Sequence, residues 1–259
     1  MRFEEPGRKL LQSSIIDILD SQANIPSNFL DVGCGAGSLS QFLIKMGMMG
    51  SGVEISSQAY EQCQQMLVDE IRLGTFKLHD RLDNCVEKFD LVICINVLEH
   101  ILDDRLFLDL ILRNLVPGGL LIIGVPGRED RWYLEDDLVG HLRRYSKNRL
   151  QTLIEEQTNS KTEIWSIGYP LMNIGQRVKN ILLKKQASQF SGLSKEAQTQ
   201  TSGIRSVPLL PIWSILGYVS NFAVKLLFSP IQRLFYNSNA GIQLIAFARS
   251  RANDNGAQT

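Results

Sequence analysis

The sequence predicts an α/β fold built on a mostly parallel sheet, and two features support that prediction. Short apolar runs alternate with longer segments of helical periodicity from residue 7 to residue 170, which is the rhythm of βαβ units. A further apolar run at residues 242–248 would add one more strand. The chain has 259 residues, 44% of them hydrophobic, and can bury one sizeable core. We therefore expect a single domain over residues 1–259.

The elements follow in order along the chain. Seven strands are predicted at residues 29–32, 52–55, 76–79, 89–94, 120–125, 164–167 and 242–248. Amphipathic segments between them predict helices at residues 7–22, 38–47, 57–70, 103–115 and 146–157. Ser146 is a plausible N-cap for the last of these helices. The core of the domain is therefore expected to span about residues 8–170 and 241–251.

Residues 171–240 break this rhythm, because they separate the sixth and seventh strands where a short connection is usual. Residues 174–185 carry apolar side chains at helical spacing together with cations, and residues 186–203 are rich in Ser, Gln and Thr, which predicts a mobile loop. Residues 206–224 contain no charged side chain. We predict a helical, apolar insertion here, and a disordered tail at residues 252–259.

The overall charge gives no support for a nucleic-acid partner, since 27 basic residues balance 27 acidic ones. The balance is uneven, because eleven basic residues face three acidic ones from residue 161 onward. The four cysteines, Cys34, Cys63, Cys85 and Cys94, show no metal-ligand spacing, which favours a reducing compartment. The first residues lack the pattern of a secretion signal, so we expect a cytoplasmic location.

A glycine-rich loop, Gly33-Cys34-Gly35-Ala36-Gly37, follows the first predicted strand directly after Asp31 and Val32. Gly33 and Gly35 would bend the chain tightly and let a ligand approach the backbone. Gly37 would open the next helix, whose free N–H groups favour a carboxylate. A tight turn in any α/β protein could carry the same glycines, so the loop alone leaves a purely structural role open.

Polar residues also follow the next predicted strands. Glu54 ends the second strand, where an acid can accept hydrogen bonds from both ribose hydroxyls of an adenosine ligand. Asp80 follows the third strand, where a carboxylate can hold the exocyclic amine of adenine. The segment from Asn96 to His100 follows the fourth strand, at the sheet edge where open α/β sheets bind ligands. The alternative for Glu54 and Asp80 is a solvated loop acid.

Four segments in order, residues 31–37, 53–56, 89–100 and 115–126, resemble the successive motifs of class I S-adenosylmethionine-dependent methyltransferases. The resemblance covers residues 8–170 and resumes at the last strand. It implies a Rossmann-like, seven-stranded sheet of order 3-2-1-4-5-7-6 with the last strand antiparallel, S-adenosylmethionine as methyl donor and S-adenosylhomocysteine as product. The implied donor-site residues are Asp31, Gly33, Cys34, Gly35, Gly37, Glu54, Ile55, Asp80, Asn96, Val97 and His100.

A second resemblance lies on the acceptor side. The segment Gly140-His141-Leu142-Arg143-Arg144-Tyr145-Ser146 resembles the G-H-x-R-R-Y-[ST] signature of a bacterial methyltransferase subgroup associated with glycan, lipid or secondary-metabolite pathways. It follows the fifth strand, so it is expected to stand near the methyl group. His141 is the predicted catalytic residue, because imidazole can accept the acceptor's proton near neutral pH. Anchoring of the loop is the alternative role.

Five further residues are predicted to bind the acceptor: Trp132, Tyr133, Arg143, Arg144 and Tyr145. The two arginines can hold an acidic group by paired hydrogen bonds. Asp136 and Asp137 are close enough in sequence to pair with one of them, which leaves the other open. Trp132 and Tyr133 either form a wall of the acceptor pocket or close the core.

A metal site is not expected from the sequence. Ubiquinone-pathway O-methyltransferases are similar here and are thought to hold a divalent metal through an E-x-x-E-H pattern. In this chain Asn96 replaces the first glutamate, which leaves only Glu99 and His100. One carboxylate and one imidazole make a poor magnesium site.

The sequence thus predicts methyl transfer to an oxygen or nitrogen of a small-molecule, lipid-linked or secondary-metabolite acceptor. A non-catalytic S-adenosylmethionine-binding subunit and an RNA-modifying enzyme are the alternatives, although N-P-P-Y-type motifs are absent. A dehydrogenase would show G-x-G-x-x-G, whereas Ser38 occupies the sixth place. We predict that the insertion forms one of three things: a lid, a homodimer interface, or a surface attracted to anionic lipid at the inner membrane face. Its prolines argue against a spanning helix.

Overall fold

The computed structural model describes residues 6–186 and 227–251, which form one sheet with helices on both of its faces. The strands are β1 (Asn28–Val32), β2 (Met49–Val53), β3 (Phe76–His79), β4 (Phe89–Ile95), β5 (Leu115–Pro126), β6 (Glu163–Ile167) and β7 (Gln243–Arg249). The helices are α1 (Pro6–Asp20), α2 (Ser38–Lys45), α3 (Ser57–Met66), α4 (Val68–Arg72), α5 (Asp104–Leu112), α6 (Leu134–Val139), α7 (Lys147–Thr158), α8 (Leu171–Gln186) and α9 (Ser229–Leu234). Short 3₁₀ turns lie at Leu82–Asn84 and Leu98–His100.

The sheet has seven strands in the order β3-β2-β1-β4-β5-β7-β6. Strands β1 to β5 pair in parallel, and β7 runs antiparallel to both β5 and β6. This confirms the predicted strand order and the direction of the last strand. Because the five parallel strands end at the same edge, the segments that follow β1, β2, β3, β4 and β5 meet there.

The core has two layers, one on each face of the sheet, because alternate strand residues point to opposite sides. Leu30 and Val92 belong to the cluster that also contains residues of α5 and α7. Phe29 and Leu91, their sequence neighbours, belong to the cluster that contains residues of α1 and α2. The continuous apolar runs of β1 and β4 are therefore the pattern of strands buried on both faces.

Two strands, β2 and β5, begin three or more residues earlier than the sequence predicts. Strand β2 starts at Met49 instead of residue 52, and it includes two glycines, which usually weaken a strand prediction. A Cβ atom at Gly50 would lie 2.6 Å from the ring of Phe29, and one at Gly52 would lie 2.8 Å from Cys34 Sγ. These glycines are needed for close packing. Strand β5 starts at Leu115, with an irregular register opposite Phe89.

The helix predictions differ in detail. Ser146 caps α7 as predicted, because its hydroxyl accepts from the backbone N–H of Arg149 at 3.4 Å. The predicted helix at 57–70 divides at Leu67 into α3 and α4, and α6 was not predicted. Helix α8 confirms the predicted helix at 174–185. The uncharged stretch at 206–224, most of the loop predicted at 186–203 and the tail at 252–259 lie outside the described residues.

Within residues 6–186 and 227–251, no helix is both long enough and apolar enough to cross a membrane. The division into a core and an insertion stays a prediction.

Candidate active site

The glycine loop after β1 turns through three left-handed residues. Gly33, Gly35 and Gly37 have φ angles of 74°, 55° and 82°. A Cβ atom at Gly33 would lie 2.3 Å from Val97 Cγ2, and one at Gly37 would lie 2.7 Å from Cys63 Sγ. At Gly35 a Cβ atom would meet nothing within 4 Å. The loop is therefore packed at both ends and open in the middle, so that a ligand can approach the backbone at Gly35.

Two predicted donor-site residues support the loop from inside. The buried carboxylate of Asp31 accepts a hydrogen bond from Ser40 Oγ at 2.7 Å, and its burial raises the pKa to about 7. Cys34 Sγ lies 3.9 Å from Cys63 Sγ, and this contact together with burial raises the pKa of the Cys34 thiol well above its usual value. Both side chains face the interior of the protein.

Glu54, directly after β2, is tied to the loop. Its Oε2 accepts from the backbone N–H of Gly35 at 2.9 Å, and its Oε1 accepts from that of Ser56 at 2.7 Å. The carboxylate therefore lies beside the open side of Gly35. Its neighbour Ile55 is 75% exposed.

An open cleft of about 900 Å³ borders this edge of the sheet. Glu54, Ile55 and Asp80 line it together with Tyr60 of α3 and Phe107 of α5. The exposed Asp80 carboxylate accepts from Asn84 Nδ2 at 2.7 Å. Three predicted residues from the ends of two strands, β2 and β3, thus line one cleft, which has both acidic and apolar walls.

Asn96 connects the loop region to the centre of the sheet. Its φ angle is 56°, a conformation that asparagine adopts more readily than most residues. Its backbone N–H donates to Gly124 O at 2.8 Å, and its Oδ1 accepts from Gln243 Nε2 at 3.1 Å. The turn at Asn96 leads directly to Val97, which lies against Gly33.

On the acceptor side, Asp136 of α6 is the centre of a buried polar network. Its carboxylate accepts from the Tyr133 backbone N–H at 2.7 Å, from His141 Nδ1 at 2.6 Å and from Arg144 Nε at 2.9 Å. Burial alone would raise the Asp136 pKa, but the bonds from His141 and Arg144 outweigh it and lower the pKa. With Nδ1 donating to Asp136, a neutral His141 keeps the lone pair on Nε2.

That nitrogen points toward a second carboxylate. His141 Nε2 lies 3.6 Å from Glu99 Oε1, and neither oxygen of the fully buried Glu99 has a hydrogen-bond partner within the described part of the chain. Burial raises the pKa of Glu99 to about 7. The His100 ring lies 4.9 Å from the His141 ring, and burial followed by the nearby His141 lowers the pKa of His100 to about 4.

Two of the predicted acceptor-binding residues, Tyr145 and Arg144, are buried in the structure, which corrects the prediction that they contact an acceptor. The Tyr145 side chain is fully buried, with its hydroxyl 3.0 Å from Asp104 Oδ2 and 3.3 Å from Leu98 O, so it has no surface to offer an acceptor. Arg144 is 6% exposed and is held by Asp136 and by the carbonyl of Gly127. Both residues therefore belong to the core. Arg144 can be buried because its charge is paired with the buried carboxylate of Asp136.

The other three predicted acceptor-side residues, Arg143, Tyr133 and Trp132, differ in their exposure. Arg143 NH1 donates to Asp104 Oδ2 at 2.8 Å, so both arginines are paired where the sequence favoured pairing of one. Tyr133 is buried beneath the Arg144 guanidinium, 4.8 Å from its ring centre, and so helps to close the core. Trp132 is 48% exposed, and its Nε1 donates to Asp137 Oδ1 at 2.9 Å.

The sequence did not single out Glu99 as a partner of His141. The signal existed, because Glu99 directly precedes His100 and a second histidine follows Gly140. Only the meeting of two distant segments at the sheet edge shows that the two imidazoles and the carboxylate share one site.

The sheet order, the antiparallel β7 and the glycine loop at the carboxyl end of β1 are the features of a Rossmann-like methyltransferase fold. Residues 26–186, more than half of the chain, match the family described as a methyltransferase domain. The chain therefore belongs to this family.

Several known proteins are similar to this chain at low sequence identity. A ubiquinone biosynthesis O-methyltransferase from Psychrobacter cryohalolentis is 28% identical over 110 residues, which cover 40% of this chain and 43% of the relative. The match thus spans less than half of that relative's length. A Galdieria sulphuraria structure assigned as a sarcosine dimethylglycine methyltransferase has a TM-score of 0.57 at 17% identity, covering 94% of this chain and 85% of that one. The [4+2]-cyclase SpnF has a TM-score of 0.56 at 14% identity, covering 95% and 82%.

Proposed function

We propose that this chain transfers a methyl group from S-adenosylmethionine to an oxygen or nitrogen of a small-molecule, lipid-linked or secondary-metabolite acceptor. The observation that supports it most is the open backbone at Gly35, whose N–H is bound by the Glu54 carboxylate, because Glu54 also lines the cleft. The likeness to ubiquinone biosynthesis O-methyltransferases favours oxygen as the methylated atom. The likeness to a cyclase means that turnover must be measured, because the fold is compatible with another reaction.

In the proposed donor site, the loop glycines and Glu54 hold the donor, Ile55 and Asp80 contact its adenine, and Asn96, Val97 and His100 border it. When bound, S-adenosylmethionine supplies the electrophilic methyl group. Asp31 and Cys34 act indirectly, because their side chains brace the loop from inside. Glu54 already accepts two backbone N–H groups, so ribose hydroxyls would use its remaining lone pairs or replace these bonds.

On the acceptor side, we propose that His141 is the catalytic residue that helps to remove the acceptor's proton. Asp136 fixes the ring through Nδ1 and stabilises any positive charge that develops on it. The lone pair on Nε2 is then directed away from Asp136, toward the space before Glu99. Trp132 and Arg143 are the predicted acceptor-binding residues that keep some exposure.

We propose that α8, the first helix of the insertion, covers the acceptor side of the site. Asn180 Oδ1 of α8 accepts from the Leu134 N–H of α6 at 3.0 Å, and Lys179 Nζ lies 2.5 Å from Glu135 Oε1. Helix α8 therefore packs on the helix that carries Asp136. Ile174 and Ile181, two turns apart on α8, stay 56% and 58% exposed, which suits contact with anionic lipid or a second subunit.

Flotation with anionic phosphatidylglycerol vesicles and measurement of the solution mass separate these roles of the insertion. Recovery in the lipid fraction supports contact with the inner membrane face, whereas a dimer that stays with the soluble fraction supports an interface. If the protein is a monomer and does not bind the vesicles, the result supports a lid as the role of the insertion.

The donor site is tested by calorimetry with S-adenosylmethionine and S-adenosylhomocysteine. Gly35→Ala places a methyl group on the open side of the loop, so the affinity should fall at least tenfold. Gly74→Ala is the matched control, because Gly74 also has a positive φ angle of 74° and no atom near its Cβ position. Each variant should lose about 1 kcal/mol of stability from the left-handed backbone.

Equal donor affinity in the two glycine variants would exclude the loop as the donor site. If donor binding is normal but no acceptor ever yields S-adenosylhomocysteine, the chain is a non-catalytic donor-binding subunit.

A further inference from the structure

We propose that Glu99, His100 and His141 bind a divalent transition-metal cation of the zinc class. Glu99 and His100 lie in the turn that follows β4, and His141 follows α6. One ligand atom from each residue lies within 4.8 Å of those from the other two. The site is formed where two segments that are distant in the sequence meet at the carboxyl edge of the sheet.

The first argument is the state of Glu99. Its side chain is fully buried, and both carboxylate oxygens lack a hydrogen-bond partner among residues 6–186 and 227–251. A carboxylate without hydrogen-bond partners in a protein interior is destabilised by the loss of its hydration. A bound cation offsets that loss because it neutralises the charge and takes up the oxygen lone pairs.

The second argument is the way in which the two imidazoles are held. His141 Nδ1 bonds to the Asp136 carboxylate at 2.6 Å, and the His100 ring bonds to the backbone of Gly140. Metal-binding histidines usually have one ring nitrogen on a carboxylate or a carbonyl, which directs the other nitrogen to the metal. The free Nε2 of His141 lies 3.6 Å from Glu99 Oε1, near the spacing of about 3.4 Å between two ligands of a tetrahedral zinc ion.

The third argument concerns which cation fits. Two imidazole nitrogens and one carboxylate are a donor set of catalytic zinc sites, in which a fourth position stays open for water or substrate. Magnesium prefers a shell of oxygen ligands and is a poor match. Asn96 is not part of the set, because its Oδ1 already accepts from Gln243. The sequence counted only Glu99 and His100, so it could not reveal this site.

A cation at this position changes how His141 acts. Its Nε2 lone pair would be a metal ligand, and the cation would lower the pKa of an acceptor hydroxyl bound at the open position. Cation binding itself is independent of methyl transfer and can be measured without a donor or an acceptor.

A second cluster of metal-ligand types, His79, Cys85 and Glu87, is less suited to a cation. Glu87 Oε1 is paired with Lys77 Nζ at 2.6 Å, and that ammonium repels a metal ion. Burial also raises the pKa of the Cys85 thiol to about 11, which disfavours the thiolate. His79 therefore provides the matched control, as the third of the three histidines in the chain.

The test uses the full chain, stripped with a chelator and titrated with Co²⁺ under visible absorption. We expect one equivalent to bind, with the weak visible bands of nitrogen and oxygen ligands and without a thiolate charge-transfer band. Glu99→Gln and His141→Ala should each weaken Co²⁺ binding at least tenfold, and Zn²⁺ should displace Co²⁺. His79→Ala should bind like the parent.

The proposal is overturned if the parent binds no stoichiometric Co²⁺, if both cluster variants keep parental affinity, or if a thiolate band appears and is lost in His79→Ala. Circular dichroism checks the fold of each variant. Should Glu99→Gln fail to fold, His100→Ala takes its place with the same expected loss. Calorimetry of S-adenosylmethionine on the stripped parent is a separate readout, whose failure would count against the proposed methyl transfer and not against the cation.

Discussion

The two halves of the candidate site are built in different ways. The donor half depends mainly on backbone geometry, with three left-handed glycines and free space at the Cβ position of Gly35. The acceptor half consists of side chains, with Asp136, Glu99 and Arg144 buried as charged or polar groups in one network. The donor half is open to a cleft, whereas the acceptor half lies beneath α6 and α8.

This difference predicts different responses to substitution. A backbone site is sensitive to any added Cβ atom but tolerates many neighbouring side chains. A buried charged network is sensitive to the loss of any one member, because the others keep their charge without a partner. The two halves can therefore be separated by experiment, as the following predictions describe.

The largest effect is expected for His141→Ala, which should lower the methyl-transfer rate by roughly 10²- to 10⁴-fold. Affinity for S-adenosylmethionine should stay within a factor of about three, because the donor loop lies at the ends of other strands. Steady-state kinetics with a turnover acceptor and calorimetry measure the two quantities. A loss of rate below fivefold would make His141 structural.

Asp136→Asn should destabilise the acceptor half most. It leaves the buried Arg144 without its counter-charge, so we expect a loss of about 3 kcal/mol in the free energy of unfolding. The matched control is Asp130→Asn, which removes the exposed pair with Arg128 and should change little. Urea denaturation of both variants gives the comparison, and equal stabilities would show that the buried network is not stabilising.

Asp31→Asn tests the pH response of the donor half. The pKa of Asp31 is about 7 in the folded chain, above its ordinary value, so the folded state keeps a proton that the unfolded state releases. Its contribution therefore falls as pH rises from about 4 to about 7. Relative to the parent, the variant should gain on the order of 2 kcal/mol between pH 5 and pH 8. A stability difference that does not change with pH contradicts this assignment.

Ser146→Ala should have the smallest effect, about 1 kcal/mol, because it removes only the cap of α7. Donor affinity should not change. Thermal unfolding measures the stability of both variants. If Ser146→Ala loses as much stability as Asp136→Asn, the acceptor half is not stabilised mainly by its buried network.

The sequence predicted the donor half better than the acceptor half for a physical reason. Glycines, strand ends and apolar runs report backbone geometry directly, so the sequence predicts the seven strands and the cleft residues Glu54 and Asp80, whereas the order of the strands came from the family resemblance. The sequence places the start of β2 too late, because Gly50 looks like a turn residue until Phe29 is seen to pack against it.

The acceptor half depends on which side chains face inward, and sequence spacing does not determine this. Arg144 and Tyr145 have the composition of a binding motif, yet the path of the chain after α6 turns both into the core. Helix α6 is short and acidic in its first turn, so it has no apolar periodicity from which a helix could be predicted. The approach of Glu99 to His141 required the three-dimensional arrangement.

The position of β7 has a consequence for biosynthesis. This strand lies between β5 and β6, yet it is formed by residues 243–249, which follow the other six strands of the sheet in sequence. Until those residues leave the ribosome, β5 has an unpaired apolar edge and β6 has no neighbour in the sheet. Such an edge can pair with another chain, so a stalled or truncated product that ends before β7 is expected to aggregate or to require a chaperone.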